Sequence, residues 1–223
     1  IFVMEVVLRE YKIHIFVPVM LAAACGSVLT RIVFGEFNEL SFLSFNAFSQ
    51  WMYLYLVLLG VLLGMLATLF NHQLMRVMTF FRPVSMVWRL VLAALITGTV
   101  GTLLPEALGA NFVDVEKLFD RDPGTLLLCA ILLSKVILAV CAIGLGVPGG
   151  IIGPVMVIGM LAGAVLLLPL SYFINVPEFT SSFALLGIAG MLTAVLHAPL
   201  AALSAVMELS YSPQIILPAM LVI

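Results

Sequence analysis

Long apolar runs alternate with short polar breaks along the whole chain. The runs fall at residues 13–34, 51–70, 90–104, 125–143 and 154–174, and shorter pieces follow at 181–196, 198–207 and 213–223. A helix needs roughly 20 residues to cross a bilayer. The longer runs therefore read as spans. The shorter ones, punctuated by Pro or Gly, read as tilted, re-entrant or half-spanning helices. The breaks differ in charge. Residues 71–89 carry Arg76, Arg82 and Arg89, and residues 9–12 carry Arg9 and Lys12. Residues 35–50 carry Glu36 and Glu39, and residues 105–124 carry five carboxylates against Lys117 and Arg121. An excess of Lys and Arg marks the cytoplasmic side, so the basic breaks are assigned there and the acidic ones opposite. Arg31 dissents mildly.

Composition sharpens this. Of 223 residues, 64% are hydrophobic and 9% charged, with mean hydropathy +1.30. A soluble domain of this size cannot show water so little polar surface, and the class is an all-α polytopic membrane protein. Net charge is −2 with no basic patch, so nucleic-acid binding is unsupported. Cys25, Cys129 and Cys141 lie inside apolar runs without metal-ligand spacing and read as packing residues. No metal and no cofactor is expected. An intramembrane enzyme would need a nucleophile or metal constellation, and neither H-E-x-x-H nor G-x-S-x-G occurs.

The stretch Gly144–Pro154 holds five glycines and two prolines in eleven residues, inside a segment free of Asp, Glu, Lys and Arg from Val136 to Pro177. Irregular backbone at membrane depth is tolerated where it is buried in protein or lines a cavity. Pro154 suits the first turn of a helix, which would run to about Leu170. A helix N-terminus offers unpaired N–H groups and partial positive charge, an anion site held by dipoles. Glycines at 149, 150 and 153 would let an ion approach the backbone. The pattern alone is met equally well by a helix-breaking loop with glycine packing. Lys135 could raise the local positive potential, or snorkel, or pair with a carboxylate. Glu5 and Glu208 each end an apolar run, where a carboxylate is either functional or caps backbone groups. His197 reads as a helix-break residue.

Val-Met-Glu recurs at residues 3–5 and 206–208, an echo that suggests a duplicated unit of about 200 residues. Gly149-Gly-Ile-Ile-Gly-Pro154, with Val-Met-Val-Ile-Gly-Met-Leu-Ala-Gly163 after it, resembles the G-x-F-x-P signature of the CLC chloride channels and chloride/proton exchangers. Ser134-Lys135, Gly187-Ile-Ala-Gly-Met191, His197-Ala-Pro-Leu200 and Met207-Glu-Leu-Ser…Gln214-Ile-Ile-Leu-Pro218 follow in that family's order. The resemblance implies a CLC-type inverted-repeat fold with tilted, partly spanning helices. Residues 1–223 would be the C-terminal half of the transmembrane domain. Residues 1–12 would close the first repeat, and 13–223 would be most of the second, its last helix missing.

The same resemblance implies an anion-binding segment at Gly150, Ile151, Ile152, Gly153 and Pro154, with the amides of Ile151 and Ile152 on a central chloride. It implies a bilayer-embedded homodimer, each subunit with its own pore, and residues 1–8, 15–33, 199–208 and 214–223 on the partner. A bacterial inner membrane is the expected location. Two departures stand out. Ile152 replaces the family's usual Phe, which keeps the amide and loses the aromatic edge. Val6, beside Glu5 on the gating or proton path, stands where exchangers carry an inner proton-accepting glutamate. Valine carries no proton, so the expectation is passive chloride conduction, with chloride/proton antiport as the alternative.

Overall fold

The computed structural model describes residues 5–6, 13–35, 48–108, 124–172, 176–210 and 212–223. The remaining residues, which include 1–4 and 7–12 of the expected first-repeat end and the acidic positions at 36–39 and 114–122, lie outside the described residues. Among the described residues the regular elements are all helical. They are α1 (Ile13–Phe34), α2 (Met52–Phe81), α3 (Met86–Leu103), α4 (Thr125–Gly144), α5 (Ile152–Leu167), α6 (Val176–Leu196), α7 (Pro199–Ser210) and α8 (Ile216–Val222). Short 3₁₀ turns fill Pro105–Ala107, Leu168–Tyr172 and Pro213–Ile215. Six of the helices are long and apolar enough to cross a bilayer.

Two boundaries stand out among those that differ from expectation. Asn71–Phe81, assigned to a basic break, continues α2 as helix. The segment contains no Gly or Pro to stop it, and Leu74 extends the buried stripe by one more turn. Arg82-Pro83 then ends the helix. At the other discrepancy, α6 begins at Val176, five residues before the apolar run at 181. Pro177 falls at its second position, where the missing N–H costs nothing.

The stripe on α2 is Met52, Leu56, Leu59, Leu63, Ala67, Phe70 and Leu74, all buried at three- and four-residue spacing. The opposite face shows Leu54, Leu58, Val61, Met65 and Leu69 to the surroundings. α1 buries none of its apolar window. Apolar residues on both faces of a helix require an apolar solvent, and the chain is an integral membrane protein.

α5 and α6 form the interior. Their axes approach until backbones touch. A Cβ placed at Gly187 would overlap the Gly159 carbonyl oxygen, and one at Gly163 the Phe183 carbonyl oxygen. Small residues that allow such approach are how helices pack in lipid. Two polar ties bind α2 to this pair. The Tyr55 hydroxyl donates to the Leu166 carbonyl, and Asn71 Nδ2 donates to the Val195 carbonyl at 3.3 Å. The last turns of α2 also meet the end of α4, since a Cβ at Gly144 would stand 2.7 Å from Val77 Cγ1. The α2–α3 turn, with its arginines, therefore lies at the same end of the bundle as the glycine-rich loop.

Candidate functional site

α4 ends in a Schellman motif. Gly146 N–H donates to Ile143 O and Val147 N–H to Ala142 O, both at 3.0 Å. Gly146 takes φ +84°, a conformation that only glycine adopts freely. Gly149, Gly150 and Gly153 are not among the positive-φ glycines, so turn geometry does not explain them. A Cβ built at any of the three would meet no heavy atom within 4 Å. Their effect is to leave the backbone bare.

The loop delivers the chain into α5. Ile151 is the N-cap and makes no side-chain capping bond. The first intrahelical bond runs from Val155 N–H to Ile151 O at 3.1 Å. The N–H groups of Ile151, Ile152 and Gly153 precede it and have no intrahelical acceptor, and Pro154 has no N–H. Three amides thus point out of one helix end with the positive end of the α5 dipole behind them. The Ile151 side chain packs against the core. Ile152 is 36% exposed and Gly149, Gly150 and Gly153 are exposed. Beside this end is a cavity of about 380 Å³ walled by Gly153, Pro154 and Val157 of α5, by Lys135, Ala139 and Ala142 of α4, and by Thr97 of α3. The fold thus places Lys135 on the same cavity as the loop.

A second helix N-terminus behaves differently. α7 opens on Pro199, so its first two available donors are Leu200 and Ala201. Leu200 N–H donates to Glu5 Oε1 at 3.0 Å and Ala201 N–H to Glu5 Oε2 at 2.6 Å. Glu5 therefore caps a helix from 195 residues away in sequence, and Val6 lies half-buried next to it. His197 precedes this end with φ 55°, its N–H bonded to Thr193 O at 2.8 Å, and it breaks the chain between α6 and α7 as expected. One helix end is closed by the protein's own carboxylate, and the other carries no side-chain cap. Among the described residues no three His, Cys, Asp or Glu gather as a metal site.

A family model described as voltage gated chloride channel matches residues 1–223. The chain belongs to the voltage gated chloride channel family. Membership accounts for the all-α membrane fold and for the order of motifs along the chain. The chain is 30% identical over 210 residues to the H(+)/Cl(-) exchange transporter ClcA of Citrobacter koseri, and 30% over 215 residues to that of Klebsiella pneumoniae. It is 28% identical over 212 residues to that of Salmonella arizonae. Each comparison covers 88% of this chain and 44% of the relative. The chain thus spans less than half the length of these family members.

The sequence pointed to the glycine loop, Glu5, Lys135 and His197. It missed the partner of Glu5, because nothing local joins residue 5 to residue 200. It also gave Arg89 no role beyond a charged break. A cation in the first turn of α3 was the available signal.

Proposed function

We propose that this chain is part of the membrane domain of an anion transporter that moves chloride or a similar anion across a bacterial inner membrane. Gly150, Ile151, Ile152, Gly153 and Pro154 form one wall of the anion site. The observation that carries the reading is the uncapped N-terminus of α5, with three amides free of intrahelical acceptors and glycines that leave them approachable. A permeant ion must bind and also leave, and dipoles serve that better than a full charge in contact. Lys135 raises the potential of the adjoining cavity. The subunit acts as a homodimer with its own pore in each copy, and the unburied face of α1 is shared between the partner and lipid.

Passive conduction is the preferred mode, because Val6 cannot accept a proton where an exchanger needs a carboxylate. The similarity to bacterial H(+)/Cl(-) exchange transporters favours a second mode, chloride/proton antiport, with the proton using water or another group. Either way the anion site is the same. Ile151→Asp in the full-length protein, reconstituted in liposomes, is expected to cut chloride flux by more than about tenfold, a loss equivalent to ~1.4 kcal/mol or more at the site. Flux retained at the wild-type rate would show that the loop is not the site.

A further inference from the structure

Arg89 sits in the first turn of α3, four residues past the N-cap Ser85, to whose carbonyl its N–H donates at 3.2 Å. That is the unfavourable end of its own helix for a cation. Its side chain reaches across to the glycine loop instead. The nearest heavy atom to a Cβ placed at Gly146 is Arg89 Nη1, at 3.6 Å. The Arg89 Nε is buried and has no hydrogen-bond partner among the described residues.

No hydrogen bond from Arg89 Nε to the carbonyls at the end of α4 explains this placement. Cys141 O, Ala142 O and Ile143 O already accept from Leu145, Val147 and Gly146. Nor does an ion pair from the flanking segments. Residues 71–89, which form the end of α2 and the turn into α3, hold no Asp or Glu, and neither do residues 124–172, which form α4, the loop and α5. A half-buried guanidinium that keeps an unsatisfied donor beside an uncapped loop has the chemistry of an anion-capture group. It offers charge and a donor fork, and the backbone beyond it offers only dipoles.

We propose that Arg89 is the capture residue for the transported anion on the side of the α2–α3 turn. It holds a monovalent anion at the mouth of the loop before that ion passes to the amides beyond Gly150. The inference rests on the anion-transport reading above. It adds a specific residue from a different helix, and through the basic 71–89 break it assigns the mouth to the cytoplasmic face.

The test is chloride flux through the full-length protein in oriented liposomes, with chloride varied on one face at a time at constant ionic strength. Arg89→Gln is expected to raise the half-saturating chloride at the cytoplasmic face severalfold. It should leave the opposite face and the maximal rate near wild type. Arg89→Lys is expected to recover much of the shift, because the charge returns without the fork. Should Arg89→Gln fail to fold, Arg89→Cys serves the same purpose. A cationic thiosulfonate reagent should then lower the half-saturating chloride and an anionic one raise it. An unchanged half-saturation in Arg89→Gln, or a fall in thermal stability and maximal rate alone, would overturn the proposal and leave Arg89 a structural cation. Absence of chloride flux in the wild-type protein would instead overturn the transport reading itself.

Discussion

Two helix N-termini in this protein have opposite fates, and one side chain makes the difference. Leu200 and Ala201 give their amides to Glu5, whereas Ile151 caps α5 with no side-chain bond. Glu5 was legible as a carboxylate at the end of an apolar run, and capping was one of its two readings. Its partner was not legible, because a pair 195 residues apart leaves no local trace. A hydrogen bond to a charged acceptor contributes about 1.5–3 kcal/mol net. Glu5→Ala is therefore expected to destabilise the protein by roughly 2 kcal/mol, seen as a lower apparent Tm in detergent. Glu5→Gln, which can still accept one bond, should lose about half as much. A Glu5→Ala protein with wild-type Tm but altered proton movement would show that the cap is incidental and that Glu5 belongs to a proton path.

At the scale of elements, the apolar runs predicted which segments are helices, and the structure moved their ends. α2 gained eleven residues, because the polar side chains of Asn71, His72, Gln73 and Arg76 do not stop a helix when no Gly or Pro intervenes. Hydropathy reports which solvent a segment prefers, and backbone chemistry decides where the helix stops. The α5–α6 contact could not be read from Gly159 and Gly163 alone, since the third member, Gly187, lies on another helix. The backbones meet there without side chains between them, so an added methyl has nowhere to go. Gly187→Ala is expected to cost about 1–3 kcal/mol, and Gly187→Leu should prevent stable assembly. Recovery of folded protein after purification, and its thermal midpoint, check both. A wild-type midpoint for Gly187→Leu would mean that the two helices are not in backbone contact.

For the whole molecule, the pattern of runs and breaks was enough to place the chain in a membrane. The structure adds one point that sequence cannot reach. The end of α4, the glycine loop and the arginine-bearing α2–α3 turn gather at one end of the bundle. The CLC resemblance, read from the loop and the motifs after it, corresponds to the family matched over residues 1–223. The mode of transport was not legible to the same degree. It rests on a single position, Val6. The most direct test is therefore made on the full-length protein in chloride-loaded liposomes, recording chloride efflux and external pH together with valinomycin present. The expected result is chloride efflux without stoichiometric proton uptake. Protons driven against their gradient by chloride efflux would contradict it, and would mean that the protein is an exchanger whose proton route does not depend on the position of Val6.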